Sequence, residues 1–134
     1  MIKMNEIHPI AFCVKYELLD EGYSFSLKWE DDALVIKQFS RNKNQKEQKI
    51  VPSNEEWDDF WYYLNEIEIW NWYEEYRVTC EDSCVVGDEW DVDIIFGDMK
   101  VESHGANSYP PTFREFIKAI EELTGILIEF IQQD

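Results

Sequence analysis

Two histidines, three cysteines and a run of carboxylates are the residues of this 134-residue chain whose types could do chemistry. His104 stands in Ser103-His104-Gly105, with Cys84 and Asp88 upstream of it. A cysteine nucleophile needs a base within hydrogen-bond reach and a third group to orient that base. No spacing here enforces such a set, and a histidine beside a turn glycine is ordinarily structural. Cys80-x-x-x-Cys84 with His104 falls short of the four ligands that close a structural zinc site. Neither a catalytic residue nor a metal or cofactor is expected.

The carboxylates are the sharper signal. Glu81, Asp82, Asp88, Glu89, Asp91, Asp93 and Asp98 are seven acids with no lysine or arginine among them. Calcium takes oxygen ligands, but the fixed twelve-residue loop with its glycine is absent. The stripe suits an electrostatic contact with the lysines and arginines of a protein partner. The alternative is a solvated sheet face that serves solubility alone.

Other motifs have conformational accounts. Arg41, Lys43, Lys46 and Lys49 supply four of the twelve basic residues, without the interleaved aromatics of a nucleic-acid patch. Residues 41–49 read as an exposed loop or hairpin tip. In Gly105-x-Asn107-x-Tyr109-Pro110, glycine and asparagine accept positive φ and proline pre-sets a helix start. A phosphate loop would need more glycines and a lysine. This segment reads as a rigid connector whose Tyr109 is either core or displayed.

Several elements must position these groups. Tyr23, Phe25, Leu27 and Trp29 alternate with polar residues, as in a half-buried strand. Glu30-Asp31-Asp32 turns into a returning strand over 33–39, and 10–19 is a first strand. Ser53 and Glu56 form a capping box for a helix near 54–68, whose apolar face is Trp57, Phe60, Trp61, Leu64 and Ile67. A strand from Trp72 to about Cys80 follows, then a loop over 81–88, then strands over 90–96 and 99–103. Thr112 and Glu115 stand in the same capping relation before a second helix to about 124, ended by Gly125. Residues 126–131 are either a last strand or continued helix.

The predicted fold is therefore α+β: a mainly antiparallel sheet with two helices on one face. The order βββα twice over, with halves near 10–69 and 70–131 of a single 1–134 domain, suggests a tandem pseudo-repeat. Trp57, Trp61, Leu64, Phe25, Leu27, Val92, Ile94, Phe116 and Ile120 are the expected shared core.

Composition narrows the class. The chain is 45% hydrophobic and 16% aromatic, which argues against disorder despite a net charge of −17. Its pI near 4.3 disfavours nucleic acid and anionic membrane, and favours basic proteins. No stretch approaches the ~18 apolar residues of a membrane span. The odd cysteine count and the polar opening sequence point to a reducing cytoplasm.

Trp70-x-Trp72, then Trp90-x-Val92-x-Ile94, then Gly105-x-Asn107-x-Tyr109-Pro110-x-x-Phe113, resembles a family of small bacterial proteins of unassigned activity. The resemblance covers about residues 57–123. It departs in the extra proline and in a Cys-containing 81–87 where a simple turn is usual, and it implies no catalytic residue. As a class, the chain also resembles acidic immunity proteins of toxin systems and phage-encoded anti-defence (anti-CRISPR-like) inhibitors. That resemblance implies a basic protein partner, a toxin or defence nuclease, met by carboxylates that raise association rate and affinity.

Overall fold

Backbone pairing in the computed structural model gathers every strand into one seven-stranded sheet, described here over residues 7–18, 22–40, 43–77 and 88–128. The strands are β1 (Ala11–Leu18), β2 (Tyr23–Glu30), β3 (Ala33–Ser40), β4 (Lys43–Ile50), β5 (Glu75–Arg77), β6 (Asp88–Phe96) and β7 (Met99–Ala106). The helices are α1 (Asn54–Glu66) and α2 (Phe113–Thr124), with a 3-10 turn over Ile69–Asn71. The sheet order is β4-β3-β2-β1-β6-β7-β5, so β1 lies at its centre. All neighbours are antiparallel except β5 and β7, which run parallel.

The alternation of β1 explains the layers. Phe12, Val14, Tyr16 and Leu18 point to one face and are buried. On that face Phe12 stacks on Phe60 of α1 at 5.7 Å, and Tyr16 meets Phe113 of α2 at 6.5 Å. Both helices thus cover one side of the sheet, as the α+β reading expects. All nine residues of the expected core are buried in a single cluster. No helix among the described residues is long and apolar enough to cross a membrane.

Local chemistry sets the ends. Asp31 and Asp32 both take positive φ (53° and 61°), the mirror-image turn that matches the twist of a two-residue hairpin between β2 and β3. The Ser53 hydroxyl accepts from the Glu56 amide at 3.1 Å, and the Glu56 carboxylate accepts from the Ser53 amide at 2.8 Å. Gly125, with φ 74°, ends α2 in the left-handed conformation.

Five expectations are corrected. Residues 43–50 are strand β4, not a loop; an edge strand needs only backbone pairing, and its charges guard the open edge. The strand expected from Trp72 starts only at Glu75, because the chain first makes the 3-10 turn and aims the Trp72 indole at Thr112. Residues 78–80 lie outside the described residues. Thr112 does not cap α2: its hydroxyl accepts from the Trp72 indole at 2.9 Å. Residues 126–128 are neither strand nor helix, although Ile126 and Ile128 are buried and Gln38 donates to the Leu127 carbonyl at 3.0 Å. The tandem repeat has no counterpart in strand order. The first half is a four-stranded meander, whereas the second places its first strand parallel to its third at the far edge.

Candidate docking face

The side of the sheet away from the helices carries the charge. Register aligns its side chains into rows across neighbouring strands about 4.8 Å apart. One row reads Glu47, Lys37, Ser26, Lys15, Asp91, His104, Glu75 from β4 to β5. The next reads Lys49, Val35, Lys28, Cys13, Asp93, Glu102. The lysines Lys15, Lys28, Lys37 and Lys49 fall on β1 to β4, and the acids Glu89, Asp91, Asp93, Glu102 and Glu75 on β5 to β7. The face is split into a mixed half and an acidic half, both exposed at these positions.

Within the acidic half and at its border with β1, like charges are set directly opposite one another. Glu17 pairs with Glu89 and Asp93 with Glu102 across antiparallel neighbours, on either side of the opposite-charge pair Lys15 and Asp91. Directly opposed like charges destabilise a sheet. The Asp93 carboxyl is pushed above its ordinary value. Burial is the main cause and Glu102 the next; Lys100 opposes the shift and Asp91 adds to it. Lys100 is engaged by Glu102 at 3.1 Å, and His104 Nε2 lies 3.6 Å from the Glu75 carboxylate.

The structure divides the acids singled out in the sequence. Glu89, Asp91 and Asp93 share the exposed face. Asp98 is exposed in the β6–β7 turn. Glu81 and Asp82 lie outside the described residues, as do Cys80 and Cys84. Asp88 has the opposite parity and pairs with Leu18. Its carboxylate accepts from the Tyr109 hydroxyl, its amide donates to Asn107 Oδ1 at 2.9 Å, and its carbonyl accepts from the Asn107 amide at 2.9 Å. Glu102 and Glu75 were not singled out. The alternation of Glu102 with buried Val101 and Ser103 was a signal for the first; the parallel pairing that brings Glu75 in leaves none.

The Gly105 to Tyr109 segment is a clasp on β6. The Trp90 indole donates to the Ser108 carbonyl at 2.8 Å, and the half-buried Tyr109 ring lies parallel to that of Trp90 and 4.8 Å from Phe113. Burial first, then the bond to Asp88, holds the Tyr109 phenol protonated well above its usual range. A side chain at Gly105 would come within 2.7 Å of Trp90 Nε1 and of the Tyr76 carbonyl oxygen. Tyr109 is thus part of the core boundary.

Cys13 is half-buried on the open face, and His8 stacks on Trp29 at 5.2 Å. Among the described residues no three of His, Cys, Asp or Glu converge as a metal site would require. No protein-family model and no curated protein matches this chain.

Proposed function

We propose that this protein is a non-enzymatic, acidic inhibitor of the toxin-immunity or phage anti-defence type. It acts in the cytoplasm by docking the acidic half of its open sheet face on a basic, nucleic-acid-binding protein. The observation that carries the reading is the pair of like-charge contacts, Glu17 with Glu89 and Asp93 with Glu102, on an exposed face that no helix among the described residues covers. Such contacts cost stability in the free protein. They are relieved when lysines or arginines of a partner enter between them, so the arrangement suits binding better than it suits folding.

The test uses the partner pulled down from the native host. Asp91→Lys, Asp93→Lys and Glu102→Lys together are expected to weaken the complex strongly. Association of the unaltered protein is expected to slow as salt shortens the Debye length to about 8 Å. Asp88 is left intact because its carboxylate holds the clasp. Binding that ignores both the triple variant and the salt would reduce the acidic face to a solubility device and leave a general scaffold role.

A further inference from the structure

The helix layer carries a second acidic surface, of a different shape. From Asn54 to Glu66, α1 contains five acids and no basic residue. Between α1 and α2 runs a groove of about 340 Å³ whose floor is apolar, made by Phe60, Ala119 and Leu123. Tyr62 and Tyr63 line it too, and Tyr62 is 67% exposed, unusual for a large ring with an apolar neighbourhood at hand. Three carboxylates complete the lining. One of them, Glu56, is spent on the capping box. The other two, Asp59 and Glu122, have no hydrogen-bond or ion-pair partner among the described residues.

We propose that this groove is a docking site for an arginine side chain presented by a protein partner. The site matches arginine part by part. An arginine stem covers apolar surface while its head stays at the polar rim. The planar, weakly hydrated guanidinium stacks on aromatic rings such as Tyr62 and donates in a fork to carboxylates. Lysine has the charge but neither the plane nor the fork, and it keeps its water more firmly. The same ring of Tyr62 also lines a second hollow on the other flank of α1, with Glu55, Asp58 and the stacked pair Trp61 and Phe96. An arginine-bearing segment laid over α1 therefore finds acid and aromatic surface on both sides of one exposed ring. This inference concerns the layer opposite the open sheet face and stands independently of the function proposed for that face.

The experiment is a titration of the isotopically labelled protein with a short arginine peptide and a length-matched lysine peptide, at physiological salt, followed by amide NMR. The expected result is a set of shifts centred on Tyr62, Tyr63, Ala119 and Leu123, with the arginine peptide binding more tightly. Tyr62→Ala should weaken it by roughly threefold, the scale of an exposed cation–π contact. Asp59→Asn with Glu122→Gln should weaken it by about tenfold, as charge-assisted hydrogen bonds are lost. Asp91→Asn with Glu102→Gln removes the same charge from the other face and should change little. Absent shifts, shifts scattered over all acidic surfaces, equal binding of the two peptides, or equal loss in the control pair would each overturn the proposal. None of these outcomes touches the sheet-face reading, which is tested by variants on β6 and β7.

Discussion

An interior strand and an edge strand of the sheet are built on different terms. In the interior, β6 lies beneath α2, with Trp90, Val92 and Ile94 buried and the Gly105 to Tyr109 clasp closed over Trp90. At the edge, β4 pairs with β3, yet residues 45–49 are all exposed and, of residues 45–50, Ile50 alone packs against the core. Both are paired strands of eight or nine residues, the β3–β4 ladder with one register shift between Gln38 and Ser40. The difference teaches that pairing and burial are separable: hydrogen bonds suffice to make a strand, whereas side-chain packing decides how much its residues contribute to stability.

The largest expected effect follows at the packed interior strand. Trp90→Ala removes a side chain that is 1% exposed, its indole bond to Ser108 and ring contacts with Phe113, Trp72 and Tyr109. It should lower unfolding free energy by about 3–5 kcal/mol in urea titrations. Gln48→Ala on β4 should stay within about 0.5 kcal/mol. Comparable losses at both sites would break the contrast.

Two smaller changes sharpen it within the clasp. Gly105→Ala would press a methyl group against the Tyr76 and Ser108 carbonyl oxygens at 2.7 and 2.8 Å, and backbone yields less readily than a side-chain tip. A loss of roughly 1–3 kcal/mol is expected. Tyr109→Phe keeps the ring against Phe113 and deletes the hydroxyl that donates to Asp88. It should cost about 1–2 kcal/mol. If Tyr109→Phe proved as damaging as Trp90→Ala, the clasp would be held chiefly by its polar bonds, contrary to the packing account.

What could be read from the residues tracks the same distinction. Strands β2 and β6 were legible because one face is buried and the other wet, which forces alternation. The α1 capping box was legible because its partners are three residues apart and need nothing from the rest of the chain. The equivalent Thr112 and Glu115 misled, because a partner forty residues away, Trp72, takes the threonine hydroxyl. Strand β4 was illegible because an edge with little burial imposes no apolar pattern. Strand β5 was legible as a strand, but its start at Glu75 and its parallel pairing with β7 were not, because they are defined only by the neighbour it finds. Of the acidic stripe, parity alone separates Asp88 from Glu89, Asp91 and Asp93: an even position on β6 shares the buried side of Trp90. Grouping those acids by proximity in sequence hid that division.

The smallest expected effect tests the crowding of the acidic half against the lysine-bearing half. Asp93 faces Glu102 across β7 and Cys13 across β1, with Lys100 and Asp91 also acting on it. Its carboxyl is raised above the ordinary value of 3.8, so the fold favours the protonated form relative to the unfolded chain. The contribution of this group to stability is therefore fullest below that ordinary value and is lost as pH rises through the folded one. Asp93→Asn imitates the uncharged form. It should stabilise the protein at neutral pH, by no more than about 0.5 kcal/mol at so exposed a position. The gain should shrink toward zero on acidification below the ordinary value, as the native carboxyl becomes protonated in both states. Ser26→Ala, between Lys15 and Lys37 in the lysine-bearing half, should show no such dependence over that range because it removes no ionisable group. A gain at Asp93 that persists in acid would trace to side-chain packing, and a loss at neutral pH would mean that Lys100 outweighs the two neighbouring acids.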